Sequence, residues 1–214
     1  MRRFWVILCV LALLALPMMA SATTGTDNYL DRFQDGDVWT GSDGSILWSS
    51  PWKEIGDDGD SKKGSVQVVT SGYCADGRCM SIDASLLPNV GARRMADLSF
   101  FQEAELEFDL DVIAGGLELG SNLIVQVTSD GDNWSTLHTY PLAESFTDHE
   151  AFDLSQYLCE GFGFRFKVAG VLTGAQVFID NVEISGPTTE PTTTTTTISE
   201  PTTTTTTIPT TTTT

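Results

Sequence analysis

Residues 105–112 read Glu105-Leu106-Glu107-Phe108-Asp109-Leu110-Asp111-Val112, and their alternation decides the fold class. Leu106, Phe108, Leu110 and Val112 fall on one side of an extended chain, and Glu105, Glu107, Asp109 and Asp111 on the other. A period of two marks a strand buried on one face. The same texture continues outward in both directions. Residues 122–129 form a second apolar run, Asp130-Gly131-Asp132-Asn133 makes a turn cluster, and residues 134–140 return, which is a hairpin pattern. Upstream lies the run 65–70. Downstream lie 163–168 and 176–184, the last placing Val177, Ile179, Val182 and Ile184 inward before Ser185-Gly186 breaks the pattern. No amphipathic helix exceeds two turns. About ten short strands in one domain of this size predict an all-β fold, a two-sheet antiparallel jelly-roll sandwich.

Both ends of the 214-residue chain fall outside that sandwich. Met1-Arg2-Arg3 is a positive start, Phe4 to Leu16 is apolar, and Ala20-Ser21-Ala22 is a small-x-small cleavage site. Residues 1–22 therefore read as a removable secretory signal. The apolar stretch is short for a bilayer span and contains Pro17, so no membrane insertion is expected after cleavage. Residues 187–214 include 19 Thr and 4 Pro. Such a segment lacks the apolar content to offset chain entropy and reads as an extended, disordered linker or stalk, O-glycosylated or unmodified. It runs to the chain end inside its own repeat, which points to a downstream domain of a longer protein. Residues 23–186 are left as one folding unit, secreted or displayed at the cell surface.

The chain carries a formal charge of −18, and the folding unit alone holds 27 acidic against 9 basic residues. That balance excludes nucleic acid and adhesion to anionic lipid, both of which need basic patches. It permits cations, cationic partners and neutral ligands such as sugars. Cys74 and Cys79 flank Ala75-Asp76-Gly77-Arg78, where a tight turn would bring the two close enough for a disulfide in an oxidising compartment. Cys159 is then left over, buried or paired elsewhere. Zinc fails on ligand supply, because the spacing is wrong and His138 and His149 are far away in sequence.

Several stretches are recognisable in order: Asp31-Arg32-Phe33, Trp48 with Trp52-Lys53-Glu54-Ile55-Gly56, and Gly64-Ser65-Val66-Gln67-Val68-Val69. After them come Ala104-Glu105-Leu106-Glu107-Phe108-Asp109, Ser129-Asp130-Gly131-Asp132-Asn133-Trp134, and the closing Phe178-Ile179-Asp180-Asn181-Val182-Glu183-Ile184. Together they resemble the MAM-like, or galactose-binding-like, jelly-roll modules of large secreted bacterial proteins, over roughly Asn28 to Gly186. The resemblance implies a non-catalytic binding or adhesion accessory, with a glycan or a cell-surface protein as partner. Its alternative is a structural or protein-interaction spacer, and a second alternative is a fragment of a secreted hydrolase. It also implies a structural calcium where an early acid meets the last strand, with Asp31, Asp180 and Asn181 as ligands. Against this, Asp180 or Asn181 at a strand end can simply cap local backbone N–H groups.

Two further groups are candidates for chemistry. Trp39, Trp48 and Trp52 near Asp and Asn residues suit a sugar platform if exposed, or a cover for one end of the core if buried. The spacer alternative expects them buried. Glu107, Asp109 and Asp111 resemble the carboxylate strand of laminarinase-type glycosidases. Carboxylates at i and i+4 of a regular strand are about 13 Å apart, whereas a retaining pair needs about 5–5.5 Å, so a solvated acidic face is the expectation. No nucleophile elbow, zincin helix or phosphate-cradling loop occurs, and no catalytic residue is assigned.

Overall fold

The computed structural model describes residues 24–85, 87–115, 120–170 and 174–189. The expected signal, 1–22, and the tail from residue 190 onward lie outside them. The described residues form eleven strands in two antiparallel sheets, with one short 3-10 turn at Ser155–Tyr157. They contain no helix long and apolar enough to cross a membrane.

The first sheet runs in the order β3 (Val66–Thr70), β4 (Arg78–Asp83), β11 (Gln176–Thr189), β6 (Glu105–Ile113), β9 (Phe146–Asp153). Strand β1 (Thr24–Asp31) pairs with the far half of β11, opposite β6. The second sheet runs β2 (Lys53–Ile55), β5 (Gly91–Met95), β10 (Gly163–Ala169), β7 (Asn122–Thr128), β8 (Ser135–Pro141). Alternation turns one face of each sheet inward. Leu106, Phe108, Leu110 and Val112 of β6 are all buried, as are Phe164, Phe166 and Val168 of β10. The sheets meet through contacts such as the edge-on pair Phe108–Phe166, with centroids 4.8 Å apart, and Trp52, just before β2, stands edge-on to Phe164 at 5.3 Å.

The hairpin expected at residues 130–133 joins β7 to β8. Asp130 organises it, accepting the Asp132 and Asn133 backbone amides at 2.9 and 2.8 Å while Gly131 takes a positive φ of 80°. One boundary differs from expectation. Strand β11 does not stop at Ser185-Gly186 but continues to Thr189, with Pro187 opposite Thr26 of β1. Thr188 is buried, and its hydroxyl donates to Asp27 at 2.8 Å. Gly186 is there for proximity rather than for a turn, since a Cβ would lie 2.1 Å from the Glu103 carbonyl oxygen.

One ion pair crosses the core. Asp31 at the end of β1 and Arg94 of β5 are each only 1% exposed and pair directly, tying the first sheet to the second. Arg94 also donates to the carbonyls of Gly41 at 2.6 Å and Ser50 at 3.0 Å. Asp31 accepts Phe33 N–H at 2.8 Å and the Trp52 indole N–H at 3.0 Å. Burial draws the guanidinium down to about 10, with Asp31 opposing that shift. Removing one member leaves an unpaired buried charge, which typically costs 3–5 kcal/mol. Urea unfolding of Arg94→Met is therefore expected to show a loss of about 3–5 kcal/mol. Asp31→Asn added to Arg94→Met should recover part of that loss. Additive losses in the double variant would mean that the two side chains are not coupled.

Candidate functional site: a groove on the outer face of the first sheet

The acidic side of β6 forms the floor of a groove of about 570 Å³ on the outer face of the first sheet. Period-two alternation that buries Phe108 and Leu110 points Asp109 and Asp111 outward. Antiparallel register then places His149 of β9 opposite Asp109, and Thr147 opposite Asp111. The His149 Nδ1 lies 2.8 Å from Asp109 Oδ1, and the Thr147 hydroxyl donates to Asp111 at 2.7 Å. The Asp109 carboxylate holds the imidazole above its ordinary value of 6.5.

The opposite wall is a loop clipped by the disulfide Cys74–Cys79, whose Cα atoms are 5.3 Å apart. Phe178 on the outer face of β11 packs beneath both cysteines. Tyr73, immediately before the clip, stacks on Phe178 with centroids 5.3 Å apart and planes 25° from parallel, yet remains 52% exposed at the rim. Asp180, two residues beyond Phe178, accepts Asp76 N–H from the loop at 3.0 Å and the N–H of Asn181 at 2.8 Å. Burial raises its carboxyl to about 6, outweighing those two amides. Asn181 has φ 48° and sits where β11 slips register against β6. This bulge turns its amide toward Asp109, to which it donates at 2.7 Å. Both Asp109 oxygens are thus engaged, one by Asn181 and one by His149.

Several residues expected at a site lie elsewhere. Trp48 is 9% exposed and packs on Tyr29 and Phe164, while Trp52 is 2% exposed and packs on Phe33, Phe164 and Phe166. Both rings face the Arg94 guanidinium, 4.5 and 5.5 Å from their centroids. Neither can serve as a sugar platform, because each is needed to enclose the buried ion pair. Trp39 is half-buried and donates to Glu54 at 2.8 Å.

The calcium ligand set is not assembled either. Asp31 points into the core and its oxygens are taken by Arg94, Trp52 and Phe33, whereas Asp180 faces the groove on the other side of the same sheet. A divalent ion at Asp31 would have to displace Arg94. Among the described residues, Glu54, Asp57 and Asp58 can bring carboxylate oxygens within 4.8 Å of one another. Glu54 already accepts Gly59 N–H and the Trp39 indole N–H, and Asp57 accepts the amides of Ser65 and Val66. These acids organise a loop.

No family model matches the chain, and no curated protein matches it. Solved structures do. The K3 cleaved adhesin domain of Lys-gingipain from Porphyromonas gingivalis w83 superposes with a TM-score of 0.50 at 15% identity, covering 76% of this chain and 99% of that one. The carbohydrate-binding module TmCBM61 in complex with beta-1,4-galactotriose gives a TM-score of 0.45 at 14% identity, covering 63% and 88%. A family 29 carbohydrate-binding module gives 0.41 at 17% identity, covering 74% and 88%. The similarity is one of fold. The narrower MAM-like label finds no support among the family models.

The groove's titrations predict a pH response. Asp180 holds its proton to about pH 6 when folded, against 3.8 ordinarily. The folded state therefore binds the extra proton between those values, and the stability gained is full below the lower value and lost as pH rises through about 6. The His149–Asp109 pair acts in the same direction around its raised value, but weakly because His149 is exposed. Between pH 7.5 and 5 the wild-type chain should gain about 1.4 kcal/mol more stability than Asp180→Asn. Parallel melting curves for the two proteins across that range would refute the assignment.

Proposed function

We propose that this chain is a non-catalytic extracellular module that binds a glycan in the groove beside Tyr73. The observation that carries this reading is an exposed aromatic ring fixed at the rim of a concave, carboxylate-lined groove. Sugars present apolar ring faces that stack on such a ring and hydroxyls that donate to carboxylates. Tyr73 is pre-oriented by Phe178 below it and the disulfide beside it, which limits the entropy lost on binding. Asp109 and Asp111 are held by His149, Asn181 and Thr147 as oriented acceptors, which suits recognition better than proton transfer. The disulfide supports an oxidising, extracellular compartment. Calcium has no part in this reading, since Asp31 is committed to Arg94.

The burial of Trp48 and Trp52 favours a second reading, a structural or protein-interaction spacer beside a downstream domain. Affinity electrophoresis through a panel of neutral polysaccharides separates the two. The glycan reading expects retardation on at least one of them. Tyr73→Ala should weaken it at least about tenfold, roughly 1.4 kcal/mol, with an unchanged circular dichroism spectrum. A wild-type protein that runs freely through every gel would overturn that reading and leave the spacer.

A further inference from the structure

The outer face of the second sheet has the opposite character. Lys53 of β2 lies directly across from Arg93 of β5, and Arg93 directly across from Arg165 of β10. The same row continues through Gln126 of β7 to Thr136 of β8. Lys167 stands on the same face two residues beyond Arg165. Four of the nine basic residues in a folding unit with 27 acids therefore share one face of three neighbouring strands. The described ion pairs use Lys63, Arg78, Arg94 and His149, and none of the four on this face. Like charges placed directly across a ladder are destabilising. Burial and the neighbouring Arg93 charge both lower Arg165 from its ordinary value.

The row is also built to hold a planar anion. The Arg165 guanidinium lies 4.2 Å from the Trp134 ring centroid, and its Nε donates to Gln126 at 2.8 Å. Two fixed contacts thus orient the guanidinium, and neither uses its terminal N–H groups for a hydrogen bond. Lys53 and Arg93 border a recess of about 260 Å³, with Ser50, Met95, Gly131 and one acid, Asp132, on its other sides. Lys53 and Arg165 are separated by two strand spacings, about 10 Å, comparable to a disaccharide step in an extended chain. Beyond the cations, the Gln126 amide accepts from Arg165 and donates to the Thr136 hydroxyl at 3.1 Å, so the polar line runs on through neutral groups.

We propose that this face is a second binding surface, distinct from the groove, for a carboxylated polysaccharide such as a uronan. Charge complementarity argues for an anionic chain. The short row, continued by an amide and a hydroxyl, argues for carboxylates spaced by sugar hydroxyls. A nucleic acid would bring a phosphate at every step against the surrounding negative surface.

The test uses the full chain in affinity electrophoresis and calorimetry with polygalacturonate and alginate. Carboxyl-reduced polygalacturonate, poly-glutamate and single-stranded DNA serve as comparison arms. The expected result is binding to at least one uronan, at least tenfold weaker for the carboxyl-reduced polymer, poly-glutamate and DNA. Arg93→Glu, a half-exposed position that should fold normally, should reduce uronan affinity at least tenfold, as should Lys53→Glu. Tyr73→Ala should leave it unchanged, so failure of the groove reading and failure of this one are distinguishable. The proposal is overturned if neither uronan binds, if the carboxyl-reduced polymer binds equally well, if poly-glutamate or DNA competes as strongly, or if both charge reversals bind like the wild type.

Discussion

The Asp31–Arg94 pair is the constraint from which much of the architecture follows. A buried ion pair is weak support for stability by itself, because desolvation offsets attraction. Here every neighbouring group is arranged to complete it. The carbonyls of Gly41 and Ser50, the Phe33 amide and the Trp52 indole supply hydrogen bonds, and two tryptophan rings exclude water. Between β1 and β2 lie twenty-odd residues with no strand of their own. Part of their order comes from supplying this hub, and part from bonds back to β1, such as Asp43 and Ile46 N–H to the carbonyls of Leu30 and Asn28. Gly41 can approach only because it lacks a Cβ, which would stand 2.7 Å from Asp31 Oδ1. The pair therefore positions loops as well as sheets, and it explains why the tryptophans serve the interior.

Strand β11 transmits that order to the groove. Its inner residues Val177, Ile179, Val182 and Ile184 are fully buried in the core. Its outer residues Phe178 and Asp180 carry the disulfide loop, one by packing and one by accepting the Asp76 amide. Between Asp180 and Glu183 the strand bulges, and the bulge supplies Asn181 to Asp109. One strand therefore supports the rim, orients the floor and, through pairing with β1, connects both to the ion pair. A change in the bulge would move Tyr73's support and Asp109's partner together.

How far the sequence discloses this depends on the range of the interaction involved. Period-two alternation and the Asp-Gly hairpin are local, so β3, β6, β7, β8 and β10 were legible within a residue or two. The short spacing of Cys74 and Cys79 likewise carried the disulfide. Strands β2, β4 and β5 were not legible. Lys53–Ile55 is three residues long, Arg78–Asp83 is buried on both faces, and β5 carries two consecutive arginines of which one points inward. The roles of Asp31 and the tryptophans were illegible for the same reason. An acid near an aromatic looks alike in sequence whether a sugar or an arginine lies between them, and only the pairing of β1 with β11 and β2 with β5 decides. Tyr73 and His149 carried no local signal at all. Their placement depends on a loop folding over β11 and on the β6–β9 register.

The charge follows the same logic. A net −18 describes the average surface, and the exclusions drawn from it hold for an average surface. The sheets do not share that charge evenly. Asp109, Asp111 and Asp180 collect at the groove of one sheet, while Lys53, Arg93, Arg165 and Lys167 collect on the outer face of the other. Alternation makes this possible, because each strand chooses its outward residues independently of the core it shares. Cross-strand register then converts scattered single charges into a row, an arrangement no count of residues reveals. A ligand meets one face at a time, and at contact distances the local row outweighs distant charges that salt screens beyond about 8–10 Å. Composition therefore limits what this domain attracts from afar, while register decides what each face can hold.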